Sequence, residues 1–379
     1  MTPSARSEVD PFIVMDVARR AAELERDGHR VVHMEIGQPG TPAPEGARRA
    51  LVRAMEEGPL GYTEGLGLPA LRARIARHYG AWHGVDLDPA RVVVTGGSSA
   101  GFVLAFTALF DAGARVGLGL PGYPSYRAIL SALSLRPVGI PLAAPAFRPA
   151  PGDLAGLDGM ILASPNNPTG TMIGRADLAA LMEAGRERGC RIVSDEIYHG
   201  LAWGGRGVSA LEVGDDAVVV NSFSKYFSMT GWRVGWLVVP PGMVRTFERL
   251  AQNLFICASH AGQVAALAAM DCGEELEANV ARYRASRALM LDRLPRMGLG
   301  RLAPADGAFY AWADVSHLGD SRALAGMILE EAHVAVTPGV DFDPARGGDW
   351  LRLSYAGRPE DVAEGLDRLE RFLKRRAAA

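Results

Sequence analysis

Between Arg91 and Val239 the chain alternates short β-branched or apolar runs with stretches of helical periodicity, and this alternation limits its fold more than any other feature. Arg91-Val92-Val93-Val94-Thr95 reads as a buried strand, and Ser98 to Phe110 as the helix after it. A strand over Ala114 to Leu118 precedes a helix over Pro124 to Leu133, and a strand over Gly159 to Ala163 precedes a helix over Arg175 to Arg188. Arg191 to Ser194, Ala217 to Asn221 and Val234 to Val239 add further strands. Strands joined through helices run parallel, because the crossover returns the chain to the edge it left. The expected class is α/β, with a mostly parallel sheet covered by helices on both faces. Clusters of Gly, Ser, Asn and Pro fill the segments between strand ends and helix starts, the edge where open α/β sheets bind ligands.

Past Pro240 the pattern changes. Helical stretches over Pro241 to Cys257 and Glu274 to Leu294 lead into short strands at Ala308 to Trp312, Val334 to Val336 and Leu351 to Tyr355, then a helix over Pro359 to Arg375. This predicts a smaller α+β domain over 276–379, joined by an N-terminal segment, 1–35, whose helix covers Pro11 to Asp27. Residues 36–275 form the large domain. A formal net charge of −3 offers no basic field for nucleic acid, and no apolar run reaches the roughly 18 residues that span a bilayer. Cys190, Cys257 and Cys272 are widely spaced and odd in number, which suits buried thiols in a reducing cytoplasm better than a disulfide or metal pattern. The N-terminus has no apolar signal-like region.

Of 40 basic residues only Lys225 and Lys374 are lysines. Lys374 lies in a basic C-terminal stretch. Lys225 sits mid-chain in Ser-Phe-Ser-Lys-Tyr-Phe, where chance retention competes with a chemical reason. Lysine can form an imine and give up its proton near neutral pH; arginine can do neither. Three motifs offer other chemistries. Gly117 to Gly122 matches G-x-G-x-x-G, yet no Asp or Glu lies between Asp111 and Asp153 to hold a ribose. Gly97-Ser98-Ser99-Ala100-Gly101 matches G-x-S-x-G and would make Ser99 a hydrolase nucleophile, with Asp195 and His260 or His317 as partners. Ser222 to Lys225 matches S-x-x-K, but the chain has no K-T-G.

A pyridoxal-phosphate enzyme needs a lysine, a carboxylate for the ring nitrogen, a donor for the phenolic oxygen and a phosphate cradle. It also needs an arginine fork for the substrate carboxylate. Asp195 and Tyr198 follow one strand, Ser164 to Gly170 a second and Gly96-Gly97-Ser98-Ser99 a third. Ser222, Ser224, Lys225 and Arg233 follow a fourth. Taken in order, Ser222 to Gly235, Ser164-Pro165-Asn166-Asn167-Pro168-Thr169-Gly170, Asp195-Glu196-Ile197-Tyr198 and Pro121-Gly122-Tyr123-Pro124 resemble the class I/II aminotransferases of fold type I. So do Gly37-Gln38-Pro39, Gly61-Tyr62-Thr63, Gly307-Ala308-Phe309-Tyr310 and Arg352 to Ala356, and the likeness covers nearly the whole chain. The resemblance implies a seven-stranded type of sheet and pyridoxal 5′-phosphate as cofactor. It implies amino transfer between an α-amino acid and a 2-oxo acid by a ping-pong mechanism. Lys225 would carry the cofactor as an aldimine and then shuttle the substrate proton. Asp195 would pair with the ring nitrogen, and Tyr198 and Asn167 would contact the phenolic oxygen. Tyr123 would stack on the ring, and Ser98, Ser99, Ser222, Ser224 and Arg233 would bind the phosphate. Tyr62 would reach the neighbouring subunit's phosphate in a homodimer. Arg352, Asn167 and the Gly37 backbone would hold the substrate carboxylate.

The chain departs from the family in two places. Ser98 stands where some dicarboxylate-specific members have lysine, which disfavours acidic substrates. The usual Pro-Gly-x-x-Phe-Gly segment reads Pro338-Gly339-Val340-Asp341-Phe342-Asp343-Pro344, and its two added carboxylates suit a solvated loop or face a substrate's polar end. Trp203, Trp312 and Tyr310 fit a pocket lining or plain packing. A C–S or β-lyase on the same fold would share every cofactor residue. The Ser99 hydrolase and a non-catalytic transcription-factor relative are the remaining alternatives.

Overall fold

A computed structural model describes residues 1–378. In chain order its strands are β1 (Val32–His33), β2 (Val92–Thr95), β3 (Arg115–Leu120), β4 (Arg136–Pro141), β5 (Gly159–Ala163) and β6 (Arg191–Asp195). They continue as β7 (Val218–Ser222), β8 (Gly235–Val238), β9 (Tyr310–Asp314), β10 (Val334–Ala335), β11 (Thr337–Pro338) and β12 (Trp350–Ser354). Seven strands form one sheet in the order β2-β8-β7-β6-β5-β3-β4. All neighbours pair in parallel except around β8, which runs antiparallel to both β2 and β7.

Both faces are covered, so the central strands are apolar at successive positions rather than alternating. Val93, Val116, Ile161, Val193, Val220 and Leu237 pack beneath the helix Gly97–Leu109. Val92, Val94, Met160, Ile192, Val219 and Trp236 point the other way, into a core that runs on to Phe309, Tyr310 and Leu353. Two features differ from expectation. The edge strand β4 escaped the pattern because Pro137 and Pro141 interrupt it; proline is tolerated there because an edge leaves one side of the ladder unpaired. The helices Glu45–Glu57, Pro69–His83, His260–Ala269 and Ser321–Ala332 were not anticipated. His260–Ala269 is rich in alanine and buried on several sides, so it shows no polar stripe.

The C-terminal part holds an antiparallel sheet, β11-β12-β9, and a parallel pair, β1-β10. That pair joins residue 32 to residue 334, and Ala21 and Leu24 of the helix Ile13–Arg26 pack against Leu329 and Ala335. The N-terminal segment therefore lies against the C-terminal strands. Among the described residues no helix is long and apolar enough to cross a membrane.

Candidate active site

Parallel strands put their carboxyl ends at one edge. Asp195 ends β6, Ser222 ends β7, Gly96 follows β2 and Pro121 follows β3. Because β8 runs the opposite way, its amino end meets that same edge: Gly235 lies opposite Thr95 and Ser222. The antiparallel strand thus delivers Arg233 to the carboxyl edge. A cavity there is lined by Gly37, Ser98, Ser99, Tyr123, Asn167, Asp195, Tyr198, Ser224, Lys225, Arg233 and Arg352.

The amine of Lys225 donates to the Gly37 carbonyl at 2.6 Å. Burial pushes its pKa down to about 8, aided by the Arg352 and Arg233 charges and opposed by Asp195. Asp195 is buried; its Oδ2 accepts from the Tyr126 hydroxyl and its Oδ1 from the Ile197 N–H at 3.0 Å. Loss of solvent raises its pKa to about 6 despite these donors. The Tyr198 and Tyr310 hydroxyls pair at 2.7 Å, and burial holds the Tyr198 phenol well above its ordinary pKa. Tyr123 lies edge-on to Phe12 at 5.9 Å and to Tyr126 at 5.3 Å.

At the amino end of the helix Gly97–Leu109, Gly97 has φ +80°, and a Cβ there would lie 2.4 Å from Arg233 Nη2. Glycine leaves room for the guanidinium beside the amino end of the helix, and an arginine together with unpaired helix N–H groups is suited to an anion. On the opposite wall Arg352, in β12, is buried between the rings of Tyr310 and Phe342, 4.4 and 4.5 Å from their centroids. Its Nη1 donates to Asn167 Oδ1 at 2.9 Å, and its Nη2 donates to the Glu35 carbonyl and, at 3.3 Å, to Thr337 Oγ1. At Gly37 a Cβ would overlap the Tyr310 hydroxyl, 1.7 Å away, so the backbone itself faces the cavity.

Ser222 lies outside this cavity lining, as does Tyr62, which was expected to serve a neighbouring subunit's site. The Ser222 hydroxyl is buried behind the wall, donating to the Val234 carbonyl at 3.0 Å and pairing with Ser224 Oγ at 2.8 Å. Tyr62 is 82 % exposed and outside the cavity. Sequence reading missed Tyr126, although its position one helical turn beyond Tyr123 was a usable signal. It also missed Phe12, Val14 and Met15 of the N-terminal segment and Ile36 just beyond it, which line the cavity; nothing local in the sequence marks them.

The acidic loop is neither solvated nor facing the cavity. Asp341 and Asp343 are each 2 % exposed. Asp341 accepts from the Ile13 and Val14 N–H groups, and Asp343 from the Ala345 and Arg346 N–H groups and Arg346 Nε. Of the three uncertain aromatics Tyr310 lines the cavity, Trp312 stacks on Trp350, and Trp203 donates to the Tyr355 hydroxyl. No histidine lines the cavity beside Ser99, and His260 faces the Gly61 carbonyl instead. The histidine base expected for a Ser99 hydrolase is absent from the cavity lining. Gly117 to Leu120 lie inside β3, and the next helix starts only at Ser125, so the G-x-G-x-x-G run opens no phosphate-binding helix.

The fold is that of aspartate aminotransferase. The structure of the Thermus thermophilus enzyme with maleate aligns over 98 % of this chain and 99 % of its own, with TM-score 0.91 and 30 % identity. An aminotransferase from Mycobacterium tuberculosis aligns over 99 % and 100 %, with TM-score 0.96 and 45 % identity. The valine–pyruvate aminotransferase of the same organism is 46 % identical over 378 residues, 97 % of each chain. The family of class I and II aminotransferases matches residues 29–369, and the chain belongs to it. It is an aminotransferase, and its family implies dependence on pyridoxal phosphate.

Proposed function

We propose that this aminotransferase binds pyridoxal 5′-phosphate on Lys225 and moves the amino group of a neutral α-amino acid to a 2-oxo acid. The observation that carries the reading is the place of Lys225, one of two lysines in the chain, in one cavity with Asp195, Arg233 and Arg352. The fit to the cofactor rests on two structural facts. A side chain at residue 97 would run into the Arg233 guanidinium, so glycine there leaves the arginine and the helix amino end free to hold an anion. Asp195, a buried carboxylate that accepts from two donors and makes no salt bridge among the described residues, suits a protonated pyridine nitrogen.

Bound there, the cofactor supplies an aldehyde for the amine and a ring that absorbs the electron pair left when the α-proton departs. Lys225 would hold it, Asp195 would pair with its ring nitrogen, Tyr198 and Asn167 would serve its phenolic oxygen, and Tyr123 would pack against it. Ser98, Ser99, Ser224 and Arg233 take the phosphate, with Ser222 orienting Ser224. Arg352 grips the substrate carboxylate with Asn167 and the Gly37 backbone. Its guanidinium is fixed in advance by two rings and by Asn167, so little freedom is lost on binding. With its pKa near 8, Lys225 Nζ can take the α-proton and return it near neutral pH. The cavity carries no cation besides Lys225, Arg233 and Arg352 among its lining residues, which disfavours acidic donors.

The reading extends to the assembly. Tyr62, with Val52, Met55, Leu254, Phe255 and Ile256, belongs to the large apolar side chains left exposed, and a homodimer through this region would bring Tyr62 to the partner's phosphate site. The N-terminal segment 1–35 and residues 276–379 act as one smaller unit against 36–275, with the helix Gly273–Arg296 crossing the boundary unbroken. Three free cysteines suit a reducing cytoplasm. Borohydride reduction and peptide mapping of the cofactor-supplied protein should find pyridoxyl on Lys225 and nowhere else. An unmodified Lys225 sinks the assignment.

A further inference from the structure

The helix Ile13–Arg26 begins without a cap of its own, since Phe12 at the capping position has no side-chain acceptor. The first N–H groups of a helix need partners, and a buried helix end without them is unstable. Here the partner comes from 328 residues away: Asp341 Oδ1 accepts from the Ile13 N–H at 3.1 Å and Oδ2 from the Val14 N–H at 3.2 Å. A carboxylate at a helix amino end also meets the favourable end of its dipole. The turn held this way carries cavity-lining residues. Phe12, Val14 and Met15 line the cavity together with Ile36, and Phe12 meets Tyr123 edge-on.

Resting on the function proposed above, we infer that Asp341 is a positioning residue that clamps the first turn of the N-terminal helix over the cavity, and that the wall so formed selects donors with uncharged, apolar side chains. Asp341 does not line the cavity, so its influence on substrate is indirect. Its turn, Gly339–Asp341, runs directly into Phe342, whose ring backs the Arg352 guanidinium. Arg127 Nη2 donates to the Asp341 carbonyl at 3.3 Å and steadies the turn. One short turn thereby sets the spacing between the carboxylate anchor and the apolar wall. An acidic or basic side chain pressed against Phe12, Val14, Met15 and Ile36 would lose its water and find no partner. A branched apolar side chain would gain there, by roughly tenfold or more in kcat/KM per well-packed methylene.

The test uses the cofactor-loaded enzyme, with valine, alanine and aspartate as donors in the half-reaction. Wild type should rank valine above alanine and both above aspartate; aspartate ranked first overturns the substrate class. Asp341→Ala should lower the valine-to-alanine ratio of kcat/KM by about tenfold and speed hydrogen exchange at Ile13 and Val14. Asp341→Asn, which keeps one accepting oxygen, should fall between. Val14→Ala trims the wall but leaves the clamp, so it should lower the ratio without changing exchange at Ile13, and it serves if Asp341→Ala does not fold. An unchanged ratio, or an equal loss for every donor, overturns the positioning role. Because exchange is read in cofactor-free protein as well, failure of the clamp is distinguishable from failure of the Lys225 assignment.

Discussion

Lys225 is held against its own solvation. In the cofactor-free protein burial, with Arg352 and Arg233 nearby, lowers its pKa from 10.5 to about 8. Between those values the folded chain binds fewer protons than the unfolded one, so stability rises with pH across the window; below about pH 8 the full penalty of a buried ammonium applies. Lys225→Met in cofactor-free protein should therefore be more stable than wild type by about 3 kcal/mol near pH 7, and the advantage should vanish as pH nears 10.5. Thermal melts across this range check it, and a gain independent of pH would refute the electrostatic account. The importance of this residue could be read from the sequence because lysine is so rare in the chain. Asp195 and Asn167 were readable too, since a polar residue at the end of an apolar strand marks the ligand edge. Asp341 was not: its partners lie 328 positions away, and no local pattern separates a buried cap from a solvated loop.

At the scale of elements the site depends on a strand that breaks the rule of its sheet. The pattern of β-branched runs showed that Val234 to Val239 was a strand, but direction is set by how the chain returns after Ser222, which composition does not encode. Its antiparallel course makes Arg233 and Gly97 neighbours. Cap residues mark two helices that hydrophobic periodicity does not: Asp320 caps the helix Ser321–Ala332 and Ser259 caps His260–Ala269. The contact between Gly97 and Arg233 makes a sharp prediction. In Gly97→Ala the new Cβ would displace the guanidinium, and an L-residue at φ +80° adds strain of about 1–2 kcal/mol. Affinity for pyridoxal phosphate should fall at least about tenfold, while affinity for pyridoxal, which lacks the phosphate, should barely change. Titrations of both aldehydes measure the difference, and equal losses would mean that the substitution damages the fold rather than the cradle.

At the scale of the whole molecule, Tyr62 belongs to the constellation by sequence but not by position, being exposed and away from its own chain's cavity. A single chain gives it nothing to do; two chains related by a twofold axis would place it over the other's cradle. Subunit mixing tests this without reference to any single-chain contact. Lys225→Ala removes the amine from its own site, and on the proposed dimer Tyr62→Ala would remove the hydroxyl from its partner's site. In a hybrid of the two, one site carries both lesions and the other carries neither. With a dimer as proposed and little activity in either variant alone, random exchange of equal amounts makes about half the dimers hybrid, each with one intact site of two, so activity should rise to about a quarter of wild type. If Tyr62 served its own subunit, each hybrid site would keep one lesion and mixing would restore nothing.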